Sequence, residues 1–243
     1  MTTRDDKIID IYRLLLGHFG PQGWWPAEST LEIILGAILT QAVAWKNVEK
    51  ALESLKTNHK ISIPAILNTP QDELAELIKP ALYHRQKAKK VIIMMDFIDK
   101  NYHGDFELMF QEPMLKLRQE LLALWGIGEE TADSILLYAG NYPVFVVDTY
   151  TCRIFSRLGL VSEKISYGKM QGYLMERLPE EVPLYNEYHA LLVALGANYC
   201  RKTTPLCSQC PLILICNYYE IMQEYTERSR TNDILGSGKG MHV

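Results

Sequence analysis

Cys200, Cys207, Cys210 and Cys216 stand in the spacing C-x6-C-x2-C-x5-C and make up all but one of the chain's five cysteines. Four thiolates so close along a chain can surround one centre, either a tetrahedral zinc or a [4Fe-4S] cluster. Turn formers and apolar residues alternate between them, from Arg201-Lys202-Thr203-Thr204-Pro205 to Pro211-Leu212-Ile213, which reads as a compact loop wrapped around a metal. Two thiols separated by two residues favour metal ligation over a disulfide. A second candidate is Asp148, which follows the apolar Val146-Val147 and precedes a helical pattern from Thr149. As an N-cap it can be purely structural, but the same position holds a carboxylate ionised and fixed. Such a group suits activating a water or stabilising positive charge on a sugar.

The third candidate is Leu124-Trp125-Gly126-Ile127-Gly128-Glu129-Glu130-Thr131-Ala132, where two helical patterns meet across a glycine turn. Glycines there permit positive φ and close approach by another backbone. Amide N–H groups beside a helix N-terminus can grip a phosphate without side-chain charge. An ordinary helix corner is the plainer reading of Gly-x-Gly by itself.

The elements that must position these residues read as helices. Apolar residues recur at helical spacing from Ile8 to Leu16, closing at Gly17, and from a Ser29 or Thr30 cap through Leu39. Further helices are expected over Trp45 to Leu55, from near Thr69-Pro70, and over Lys87 to Tyr102, Met114 to Leu124, Glu129 to Ala139, Thr149 to Leu158, Tyr167 to Leu178 and Tyr185 to Tyr199. Val144-Phe145-Val146-Val147 is the one segment ambiguous with a strand. The fold class is therefore all-α.

With 243 residues, 48% of them hydrophobic and 22% charged, the chain has enough apolar content for one generous core or two modest ones. The net charge of −4 counts weakly against nucleic-acid binding and requires any such contact to be local. Neither a signal stretch nor a membrane-length apolar run is present, so the expected compartment is the cytoplasm. The segment beyond Glu224 has few core-forming residues and reads as a mobile tail.

The hairpin, the aspartate and the four-cysteine loop, in this order and spacing, resemble the endonuclease III superfamily of helix-hairpin-helix DNA glycosylases, to about Tyr219. Ala81-Leu82-Tyr83 to Lys87-Ala88 is similar to that family's Gly-Leu/Phe-Tyr…Lys-Ala helix start. The resemblance implies a six-helix barrel with the hairpin over 22–140 and an α-helical cluster domain over 1–21 and 141–222, leaving 223–243 as the tail. It implies an active site between the two and a [4Fe-4S] cluster held by the four cysteines. It also implies a monomer that acts in the nucleoid on double-stranded DNA containing a damaged base. Gly126, Gly128 and Thr131 would bind DNA, Gln41 would enter the space left by an extruded base, and Arg201 and Lys202 would approach phosphates.

Endonuclease III carries an imine-forming lysine where this chain has Glu130, so lysine-dependent lyase activity is expected to be missing. No replacement lysine is evident beside the hairpin in the sequence. Gly126 to Tyr138, Val146-Val147-Asp148, Trp24-Trp25-Pro26 and Trp45 resemble more closely the endonuclease-III-like class of bacterial 3-methyladenine DNA glycosylases. That likeness makes Trp24, Trp25, Pro26 and Trp45 walls of a base pocket, with Asp148 and Glu130 as the catalytic pair. Indole faces attract a cationic methylated purine, by about 0.5 to 2 kcal/mol per favourable contact. Packed-loop tryptophans and a first-turn helix glutamate are the plain alternatives. Two other functions stay open: a glycosylase for oxidised or deaminated pyrimidines, and a non-catalytic iron-sulfur DNA-binding protein. Cys152, His18, His84 and His189 read as core or surface residues.

Overall fold

The computed structural model describes residues 4–225. Twelve helices run in chain order: α1 Arg4–Phe19, α2 Thr30–Leu39, α3 Trp45–Thr57, α4 Ile63–Leu67, α5 Gln71–Leu77, α6 His84–Tyr102, α7 Phe106–Met109, α8 Met114–Ala123, α9 Glu129–Ser134, α10 Thr149–Arg157, α11 Tyr167–Met175 and α12 Val182–Asn198. A further helix, α13, covers 217–225, so the first residues of the expected tail are helical and the rest lies outside the described residues. No strand occurs among the described residues, and the fold is all-α. No helix among them is long and apolar enough to cross a membrane.

Two compact units result. One comprises 23–146 with 180–186, and the other takes the chain up to 22, 147–179 and the segment from 187 onward. In the first unit α2 is the central element. Ser29 Oγ accepts from Glu32 N at 3.3 Å to cap it, and Leu31, Ile34, Leu35, Ala37, Ile38 and Leu39 bury most of its circumference. A Cβ on Gly36 would lie 2.9 Å from Trp25 Cζ2, so glycine is what lets the indole lie directly on α2. In the second unit α1 buries Ile8, Ile11 and Leu15, and Tyr188 of α12 donates to the Ile8 carbonyl at 2.8 Å. α10 lies against α12 where Tyr150 fills the place of a side chain on Gly196.

Several expectations shift. The first helix runs through Gly17 to Phe19 and stops at Gly20, whose φ of +70° is the left-handed C-terminal turn that glycine favours. α4 and α7 are additional, each capped by a side chain, Ser62 and Asp105. After Ser134 the hairpin's second helix widens into a π turn over Ile135–Ala139. Val144 to Val147 is buried and has no regular secondary structure, because no described strand lies beside it to share hydrogen bonds.

Candidate functional site

In the first unit, α8 and α9 form the two arms of the hairpin. Arg118 of α8 meets the fully buried Asp133 of α9 through two bonds, Nε to Oδ1 at 2.6 Å and Nη2 to Oδ2 at 3.0 Å. This paired fork sets the hairpin angle. Gly126 has φ +83°, and a Cβ there would fall 2.5 Å from Lys90 Cε. Gly128 opens α9 with an ordinary φ, and a Cβ there would meet nothing within 4 Å. The positive φ therefore favours a glycine at 126, while nothing in the protein's own packing requires one at 128.

Two lysines of α6 tie the surrounding loops together. Lys87 is buried and donates to the carbonyls of Leu39, at 2.8 Å, and Ala81, at 2.6 Å. Burial, assisted by the neighbouring Lys90 charge, lowers its pKa to about 8. Lys90 donates to Gln41 Oε1, while Gln41 Nε2 donates to Thr131 Oγ1 at 2.8 Å and to the Gly126 carbonyl at 3.2 Å. Thr131 is buried and is the acceptor for Gln41. Burial also lowers the Lys90 pKa. Beside these loops Leu82 and Tyr83 are exposed on consecutive left-handed backbones, φ 51° and 44°, and Trp125 lies exposed under the Lys89 ammonium.

Trp24, Trp25 and Trp45 form one cluster, with centroids 5.4 Å (Trp24 to Trp25) and 5.1 Å (each to Trp45) apart. Tyr138, on the π turn, packs on Trp25 at 5.0 Å. Interplanar angles of 52° to 89° make this a packed group rather than parallel walls. The Trp24 and Trp25 Nε1 donors are buried, and neither has a hydrogen-bond partner among the described residues. Each such donor costs about 1–3 kcal/mol. Pro26 is exposed beside them, and Glu130 is exposed in the first turn of α9.

In the second unit Asp148 is the N-cap of α10. Its Oδ1 accepts from Thr151 N at 2.7 Å and Thr151 Oγ1 at 2.8 Å. Its Oδ2 stands 3.8 Å from Nε2 of the buried His189 on α12. Burial lowers the His189 pKa, against the opposing pull of the Asp148 charge. The far end of the same helix braces the cysteine loop. Arg153 donates to the Cys200 carbonyl at 2.8 Å, and Arg157 donates to Cys200 Sγ at 3.3 Å and to the carbonyls of Arg201 and Lys202 at 2.8 and 3.1 Å. The side chains of Arg201 and Lys202 remain exposed. All four cysteines line one small pocket with Arg157, Tyr199 and Tyr218. Burial and the charges of the neighbouring cysteines push Cys207 up and Cys210 to about 11. A cationic centre would reverse that shift. Among the described residues no three His, Cys, Asp or Glu side chains are placed to hold a single metal ion.

Sequence reasoning missed Lys90 and the packing role of Tyr138, whereas His189, read as a core or surface residue, is buried on α12. Lys90 and Tyr138 acquire their neighbours through tertiary contacts, which no local pattern announces.

A protein of Methanocaldococcus jannaschii named as a DNA repair glycosylase is 46% identical over 213 residues, covering 87% of this chain and 96% of its own. Helicobacter pylori 3-methyladenine DNA glycosylase, solved with 1,N6-ethenoadenine, is 30% identical with a TM-score of 0.68, over 76% of this chain and 95% of that one. An endonuclease III–DNA complex shares the fold at a TM-score of 0.79 and 22% identity, over 92% of this chain and all of the other. The HhH-GPD superfamily base excision DNA repair profile matches residues 35–180. With more than half its length inside that match, and a relative 46% identical over 87% of it, the chain belongs to the HhH-GPD superfamily of base excision DNA repair proteins.

Proposed function

We propose that this glycosylase is monofunctional and hydrolyses the N-glycosidic bond of alkylated purines such as 3-methyladenine in double-stranded DNA. The carrying observation is the tryptophan cluster, which combines apolar stacking surface with two buried indole donors that have no acceptor among the described residues. A purine ring supplies a face to stack and ring nitrogens to accept, and a cationic alkylated purine gains further from the indole quadrupole. The H. pylori relative, a 3-methyladenine glycosylase bound to a modified adenine, supports the same substrate class.

An alkylated purine is already a good leaving group, so the reaction mainly needs charge stabilisation at the sugar and a placed water. Asp148 does both. Thr151 holds Oδ1, which fixes the carboxylate and leaves Oδ2, on the His189 side, as the oxygen to meet water or the oxocarbenium-like sugar. The hairpin amides after Gly126 hold a phosphate, and at Gly128 nothing in the protein stands in the way of a close DNA backbone. Gln41 enters the vacated stack. Glu130, exposed beside the hairpin, is the weaker member of the catalytic pair and acts as a nearby acceptor. The product is an abasic site in an intact strand.

Cys200, Cys207, Cys210 and Cys216 would hold a [4Fe-4S] cluster. Four irons taking one thiolate each do not need the sulfurs to converge on a point, which suits four cysteines that share a pocket without forming a single-ion site. When bound, the cluster would supply an electron-transfer-capable inorganic core, which hydrolysis would not need. What this chain's residues do there is mechanical: Arg153 and Arg157 join the loop to the helix that carries Asp148. Arg201 and Lys202 are left to meet phosphates. The protein acts as a monomer.

Incubating the purified, cluster-loaded protein with methylated duplex DNA, and quantifying free bases alongside strand nicking, tests the reading. Release of 3-methyladenine without nicking is expected. No release removes the alkylpurine assignment, and nicking with a borohydride-trapped adduct removes the monofunctional one.

A further inference from the structure

Lys90 lies on α6, and its position beside the hairpin becomes visible only in the fold. Its stem crosses the spot a Cβ on Gly126 would occupy, with Cε, Cγ and Cδ at 2.5, 2.9 and 3.0 Å from it. Its ammonium donates to Gln41 Oε1. An ammonium only donates, so the Gln41 carbonyl must face Lys90 and the Gln41 amide nitrogen must face the hairpin. There that nitrogen meets Thr131 Oγ1 at 2.8 Å and the Gly126 carbonyl at 3.2 Å. The glutamine side chain is thus occupied at both ends in the DNA-free protein. The residue after it, Ala42, is in the left-handed region with φ 56°, so the turn leaving Gln41 is a strained one.

We propose that Lys90 is a positioning residue that latches Gln41 onto the hairpin and passes its ammonium to a DNA phosphate once the glutamine leaves for the vacated stack. The inference rests on the gap-filling role of Gln41 in the function proposed above. The physical basis is substitution of acceptors. When Gln41 departs, a partly buried ammonium loses an oxygen it was bonded to, and the Gly126 carbonyl and Thr131 hydroxyl lose a donor. A phosphate arriving at the hairpin returns an anionic acceptor to Lys90, so glutamine release is favourable only where DNA backbone is already seated. Retention in free protein and release on DNA follow from one side chain, with no movement of the helices.

The test uses the full, cluster-loaded chain and a duplex carrying a tetrahydrofuran abasic analogue opposite 2-aminopurine. No base release is measured, so the result does not depend on which lesion the enzyme excises. Lys90→Met keeps the stem over Gly126 and removes the charge and the bond. It should unstack 2-aminopurine several-fold faster than wild type in stopped flow, and the salt dependence of binding should become shallower by about one phosphate contact. Lys90→Gln keeps a donor without the charge and should lose the salt contact while retaining more of the wild-type delay. Should Lys90→Met fold poorly, the salt slope of Lys90→Gln decides. Unchanged slope and unchanged unstacking rate in these variants overturn the latch. Gln41→Ala separates the two ideas: loss of its 2-aminopurine signal with an unaltered Lys90→Met sinks the latch alone, whereas an unaltered signal sinks the gap-filling role and the latch with it.

Discussion

In the unit of residues 23–146 and 180–186, the residues assigned to DNA are held by buried or half-buried charges: Arg118 on Asp133, Lys87 on two carbonyls and Lys90 on Gln41. In the other unit, Asp148 is held by the amide and hydroxyl of its own helix's first turn, and arginines of that helix reach out to backbone carbonyls of the cysteine loop. The first arrangement cross-links segments distant in sequence, and each charged group there is hydrogen-bonded to a specific partner. The second is local, since a cap bond forms wherever the helix forms. The two should therefore respond in opposite ways to substitution. Removing one partner in the first should cost stability, and neutralising the carboxylate in the second should cost activity.

The largest effect should come from Arg118→Ala, which leaves Asp133 buried without its fork. A loss of about 3–5 kcal/mol is expected in denaturant unfolding. A loss below about 1 kcal/mol, as for a surface pair, would erase the distinction between the units. Asp148→Asn should lower single-turnover base release by about 10²–10³-fold. Asparagine caps a helix as well as aspartate does, so the melting temperature and DNA affinity should change little. A large drop in stability would make Asp148 structural instead.

His189 gives a smaller, pH-dependent effect. Its pKa is lowered in the folded protein from the ordinary 6.5. The unfolded chain therefore takes up the proton first as pH falls below that value, and stability should decline there by at most about 1.4 kcal/mol per pH unit. His189→Gln should flatten this decline in urea titrations; an unchanged slope would assign it to other groups. Trp24→Phe keeps a ring and removes an N–H with no acceptor among the described residues. It should leave thermal stability unchanged or slightly raised while lowering kcat/KM for 3-methyladenine release by about fivefold, the worth of one neutral hydrogen bond of about 1 kcal/mol. Equal activity would mean that this donor does not meet the base.

The elements with periodic apolar faces, α2, α6, α10 and α12, were legible with ends within a few residues, because a helix's buried face is written at i, i+3 and i+4. α4 and α7 were not, since helices of five and four residues are too short to show a period. The Val144–Val147 run signals burial correctly and pairing wrongly, because β-branched burial does not supply a partner strand.

By itself the sequence determined the all-α class, the glycine turn, the capping aspartate and the cysteine spacing. Each of these is set by a residue's own backbone preference or by neighbours a few positions away. Only the tertiary structure decided that Lys90 and Gln41 meet at Gly126, that the three indoles pack on one another with Tyr138, and that His189 faces Asp148. Those contacts join helices far apart along the chain, and their energy depends on burial and on which donor meets which acceptor, quantities that exist only once the helices have packed.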